Sequence, residues 1–104
     1  MPPPMHVEAG WLSILRGILQ AHGIPLKDVF AFGSRVHGRN LKRFSDLDLC
    51  IRTDKALDGD TLLRLGLAFA ESDLPIKVDA IDWARTKPAF QEAIAGDLAP
   101  LFSD

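Results

Sequence analysis

Two aspartates stand one residue apart in Asp46-Leu47-Asp48, and a Gly-Ser step, Gly33-Ser34, closes the apolar run Val29 to Phe32 upstream of them. Paired carboxylates on one face could chelate a hard cation, and magnesium favours a few carboxylates together with phosphate oxygens. A glycine lets a phosphate approach the backbone closely. A serine offers a hydroxyl, and the N–H groups of a following helical turn lie at a positive helix end. Arg35, Arg39, Lys42 and Arg43 come soon after and could add charge-assisted contacts. An anion cradle beside a dication cradle is what a triphosphate–magnesium site needs.

The Asp pair decides nothing alone. With 11 Asp in the 104-residue chain, two Asp separated by one residue should occur about once by chance. A second such pair, Asp58 and Asp60, is present. The difference lies in the elements that hold them. Asp48 falls in the strand-like run Leu47 to Arg52, where residues i and i+2 face the same way. Leu47, Leu49 and Ile51 would anchor the opposite face in the core. Two like charges on one face cost repulsion unless a cation offsets it. Asp58 and Asp60 flank a glycine in a turn, where no fixed projection is expected. Taken singly, each residue also has a plainer reading: Asp46 as a turn residue, Gly33-Ser34 as a strand-ending turn, the basic residues as a solvated loop.

The elements that must position these groups can be read along the chain. Residues 1–7 are Pro-rich and read as a flexible N-terminus; 8–104 read as a single domain. Trp11, Ile14, Leu15, Ile18, Leu19 and His22 fall at helical spacing, and Gly23 then Pro25 end that helix. Val29 to Phe32 is a buried strand, residues 34–37 begin a short helix, and Gly38 to Phe44 is a basic loop. Leu47 to Arg52 is the second strand. A helix capped by Asp60 or Thr61 runs to about Ser72, with apolar positions Leu62, Leu63, Gly66, Leu67, Phe69 and Ala70. Ile76 to Ile81 is the third strand. Thr86 caps a last helix that has Pro88 in its first turn, presents Phe90 and Ile94, and stops near Gly96. Helices over a small central sheet make an α/β or α+β sandwich.

Composition narrows the partners. The net charge of -2 gives no nucleic-acid-coating surface and disfavours polynucleotide as the main partner. No run approaches the ~20 apolar residues that span a bilayer. Neither a signal peptide nor paired cysteines are evident, so the cytoplasm is the expected compartment. Cys50, the only cysteine, sits in the apolar run Leu47 to Ile51 and reads as a buried structural thiol. Trp11 and Trp83 read as core, and His37 and His22 as helix residues. Nothing in the sequence specifies a homodimer, and nothing opposes one.

The assembly resembles the nucleotidyltransferase superfamily, and within it the minimal nucleotidyltransferase proteins of prokaryotes. The resemblance is carried by Gly33-Ser34-Arg35-Val36-His37-Gly38, Ser45-Asp46-Leu47-Asp48-Leu49 and Val78-Asp79-Ala80-Ile81-Asp82-Trp83, and spans residues 25–100. Eleven residues separate Ser34 from Asp46. The resemblance implies a polymerase-β-like palm, a small mixed sheet flanked by helices. It implies ATP and two magnesium ions held by Asp46, Asp48 and Asp79, with Asp79 as the third acid and as a base for the acceptor's proton. Asp79 is preferred to Asp82 because it lies within the third strand; Asp82 would face the other way. Gly33, Ser34, Arg35 and Lys42 would bind the nucleotide. The implied reaction moves a nucleoside monophosphate, AMP from ATP, to an acceptor hydroxyl. The implied partner is a co-encoded helical HEPN-type toxin that the chain would modify as an antitoxin. Two alternatives stand beside this: a non-catalytic nucleotide-binding or partner-neutralising module, and the catalytic subunit of a two-protein small-molecule transferase.

Overall fold

A computed structural model describes residues 7–33 and 46–102 of the chain. Helix α1, Ala9–Ala21, is followed by a 3-10 turn at Leu26–Asp28 and strand β1, Val29–Phe32. Strand β2 covers Leu47–Ile51, helix α2 Gly59–Glu71 and strand β3 Val78–Asp82. A second 3-10 turn, Trp83–Arg85, leads to helix α3, Pro88–Ala95, and the two-residue strand β4, Ala99–Pro100. The expected short helix at 34–37 and basic loop at 38–44 lie outside the described residues.

The sheet has the order β3-β2-β1-β4. β1 runs antiparallel to both β2 and β4, and β2 runs parallel to β3. It is therefore the expected mixed sheet. Register divides its side chains into two sets, because paired residues project from one face. Val29, Ala31, Leu47, Leu49, Ile51 and Val78 form one set, all of them buried. Leu15 and Leu19 of α1 and Leu65 and Phe69 of α2 close over that face in a common cluster. Each fully buried Leu adds roughly 1.5–3 kcal/mol relative to exposure. The other set is Phe30, Phe32, Asp48, Cys50, Asp79 and Ile81, and it includes two of the candidate site acids.

Several local expectations are corrected. α2 is capped by Asp58, whose carboxylate accepts from the Asp60 amide at 3.3 Å, and neither Asp60 nor Thr61 is the cap. The helix is apolar on more than one side, and the sheet selects Leu65 and Phe69; Leu63 and Leu67 stay exposed. Strand β3 begins two residues later than expected and extends to Asp82. α3 has Lys87 at its N-cap with no side-chain cap. Thr86 instead donates its hydroxyl to the Asp82 carbonyl at 2.8 Å. α1 ends as expected, with Gly23 at φ 73°, a left-handed conformation that favours glycine.

Among the described residues, Asp82 is the buried charged one, 2% exposed. Its Oδ2 accepts from the Leu57 amide at 2.7 Å, and its Oδ1 accepts from the Ala84 amide at 3.2 Å. Arg85 Nε lies 3.5 Å from the same carboxylate, and its guanidinium donates to the Leu57 carbonyl at 2.9 Å. The pair thus ties the segment after β2 to the end of β3. Replacing Asp82 by Ala strips two amides of their acceptor and should lower unfolding free energy by on the order of 2–3 kcal/mol, read by urea denaturation.

Candidate active site

The site is built where β1 ends and β2 and β3 run side by side. Asp48 is the second residue of β2, and its register partner in β3 is Asp79. In a parallel pair such partners lie laterally adjacent on one face, so two carboxylates stand next to each other. Asp46 precedes β2 and is exposed, two residues before Asp48. Asp48 and Asp79 are half-buried. The three acids chosen from sequence are thus drawn toward one end of the open face, while Asp82 belongs to the core face.

Gly33 completes this end. It follows Phe32, the antiparallel partner of Asp48, and has φ +83°. A Cβ built at Gly33 would come within 2.7 Å of Asp48 Oδ2. Two constraints therefore require glycine here, the left-handed backbone and the carboxylate pressed against it. Of the predicted nucleotide-binding residues, Gly33 is placed beside the acids; Ser34, Arg35 and Lys42 lie outside the described residues.

The electrostatics follow from this crowding. Burial, then the negative charges of Asp79 and Asp46, push the Asp48 carboxyl above its ordinary value of 3.8. Lys77 Nζ is 3.8 Å from Asp79 Oδ1, an exposed contact that offsets little of the repulsion. Among the described residues, no group of three His, Cys, Asp or Glu side chains is placed to hold a metal ion by itself. The donor set still fits magnesium, which keeps several waters and takes one or two carboxylates together with substrate phosphates. Hard oxygen donors carrying unrelieved negative charge are what that ion binds.

Cys50 lies on the same face, farther along β2, and is fully buried. Burial pushes its thiol up to about 11, with Arg52 opposing the shift, so the neutral thiol packs as a small hydrophobe. A cavity of about 380 Å³ borders Asp79 and is lined by Phe69, Ala70, Leu74, Ile76 and Val78. Sequence reasoning did not foresee this hollow, because it depends on how α2 lies against the sheet edge. It also did not foresee the ring pair Phe32–Phe90 at the margin of the site. Of the two apolar residues that α3 presents, Phe90 is 44% exposed while Ile94 is buried.

Carboxylates paired across parallel strands, a left-handed glycine against them, and helices confined mainly to the other face define a palm for phosphoryl chemistry. The chain matches the family model "Polymerase beta, Nucleotidyltransferase" over residues 15–104. It is also similar to the probable protein adenylyltransferase MntA of Haemophilus influenzae, with 46% identity over 90 residues, covering 86% of this chain and 77% of that one. The fold is similar to a chain in the crystal structure of a toxin–antitoxin with AMP-PNP. That match has a TM-score of 0.71 and 22% identity, and covers 89% of this chain and 73% of that one. The chain belongs to the polymerase β nucleotidyltransferase family, as a minimal nucleotidyltransferase domain, and is an enzyme of that class.

Two outcomes follow from the geometry. Gly33→Ala should cost about 1–2 kcal/mol from its positive φ alone, and should further displace the Asp48 carboxylate; thermal melting and ATP binding would read the two effects. Asp48→Asn should raise the melting temperature of the unliganded protein at pH 7. Asp48's folded value is raised, so its ionisation penalises the folded state at pH above that value. The penalty is absent when the group is protonated in both states. The gain from Asn should therefore shrink as pH falls through the carboxylate range toward 3.8, which melts across pH would show.

Proposed function

We propose that this nucleotidyltransferase moves AMP from ATP, with magnesium, to an acceptor hydroxyl on a partner protein. The carrying observation is the lateral pair Asp48–Asp79 with Gly33 packed against Asp48. The relative's description as a protein adenylyltransferase supports adenylyl as the group and protein as the acceptor. The fold neighbour, a toxin–antitoxin with AMP-PNP, supports a toxin as that partner, here taken to be a helical HEPN-type protein encoded alongside. The chain would then act as an antitoxin. No helix among the described residues is long and apolar enough to cross a membrane, which agrees with action on a cytoplasmic partner.

The residues divide the work by position. Gly33 leaves room for the Asp48 carboxylate at the end of β1, and Gly33, Ser34, Arg35 and Lys42 would bind the nucleotide's phosphates through backbone amides, a hydroxyl and two cations. Asp46, Asp48 and Asp79 would hold two magnesium ions, which supply charge neutralisation at the phosphates. Asp79, on the edge strand and beside the cavity, would take the proton from the acceptor hydroxyl. The acceptor oxygen bonds to the α-phosphorus, the bond to the β-phosphate bridge breaks, and pyrophosphate leaves. Positioning and charge account for most of such a transfer.

The test is transfer of label from α-labelled ATP to the purified co-encoded partner. Wild type should label it only with magnesium, and Asp48→Asn and Asp79→Asn should each lower the rate roughly a hundredfold or more while remaining folded. Labelling that survives either substitution at the wild-type rate would remove the acids from the mechanism. Labelling of small hydroxyl compounds in place of the partner would favour the two-protein small-molecule transferase.

A further inference from the structure

The open face continues past the carboxylates into an aromatic pair. Phe32 is the cross-strand partner of Asp48, so ring and carboxylate project from the same face. Phe90 of α3 meets the Phe32 ring edge-on, with centroids 6.2 Å apart and planes at 81°. Phe90 is 44% exposed, and the other strongly exposed large apolar residues, Leu63 and Leu67, lie on α2. The helix that carries Phe90 is held in place. Ile94, one turn on, is buried, and the neighbouring Gln91 donates Nε2 to the Trp83 carbonyl at 2.7 Å. Phe90 is therefore an exposed ring on a fixed support.

A triphosphate bound at Gly33 and the acids leaves its base to find a surface, and Phe90 meets Phe32, the cross-strand partner of Asp48 and the neighbour of Gly33. Every base offers a flat π face that stacks on an aromatic ring. Two other rings of the described structure carry cations. The Trp83 ring carries the Arg52 guanidinium 4.6 Å from its centroid, and the Phe102 ring carries that of Arg16 at 5.0 Å. Phe69 is buried on the core face. Phe32, held between strands, can brace a partner ring but is itself only half-exposed.

We propose that Phe90, braced edge-on by Phe32, is the seat of the nucleobase beside the carboxylate site. The inference rests on the proposed phosphate site and adds the part of the ligand that site leaves unplaced. Stacking of this kind tolerates any base, so Phe90 contributes affinity for a nucleoside over a bare polyphosphate.

The experiment compares ATP with inorganic tripolyphosphate, both with magnesium, binding to wild type, Phe90→Ala and Phe90→Trp by calorimetry. Melting curves establish that the variants fold. Wild type should bind ATP more tightly than tripolyphosphate. Phe90→Ala should weaken ATP roughly tenfold and leave tripolyphosphate unchanged. Phe90→Trp should retain ATP binding and show added fluorescence quenched by ATP and not by tripolyphosphate. Equal weakening of both ligands, or of neither, would overturn the base seat while leaving the phosphate site standing. Failure of wild type to bind either ligand would overturn the phosphate site, and the base seat with it.

Discussion

The whole arrangement depends on holding Asp48 beside Asp79 across a parallel strand pair. Two carboxylates would not choose this proximity, and among the described residues an exposed lysine, Lys77, meets Asp79. The core face supplies the stability that permits it. Leu47, Leu49 and Ile51, interleaved with Asp48, are fully buried and lock the strand against sliding. A one-residue slip would exchange the buried leucines with the acids. The strain of the like charges is thus stored by apolar burial on the other side of the same strand. Positive charge would release it, as in the cation–phosphate ligand proposed above.

The same constraint explains why the turn after β1 begins with glycine. Asp48 Oδ2 occupies the space that any Cβ at position 33 would need, and the backbone there is left-handed. Parity along a strand then separates function from stability among residues of one type. Asp79 faces the site. Asp82, three residues later, faces the core, where its carboxylate gathers two amides and Arg85. Among the described residues Asp79 meets an exposed lysine, whereas Asp82 has its acceptors filled.

Much of this was legible from the residues. β1 is bounded as its apolar run and Gly33 suggest, and β2 differs by one residue at its end. Those strands are short, buried and punctuated, which is where pattern reading is strongest. The pairing of Asp48 with Asp79 was expected from type and resemblance, while its register belongs to the folded sheet. β4 was missed because a two-residue pairing that includes Pro100 has no periodicity to read. Leu65 was passed over because α2 is apolar around much of its girth, and only packing against β3 and α1 selects the buried stripe. Which of Phe90 and Ile94 stays exposed was not legible, because that is decided by what the rest of the fold leaves uncovered. The roles of Ser34, Arg35 and Lys42 stand on sequence and resemblance, outside the described residues.

The central claim is that charge crowding at Asp48 and Asp79 creates a site for ATP with magnesium. Calorimetric titration of ATP, with magnesium and then with the metal chelated, into wild type, Asp48→Asn and Asp79→Asn tests it most directly. The account predicts binding by wild type only when magnesium is present, and its loss in both folded variants. Binding that persists without magnesium, or unchanged in both variants, would contradict it.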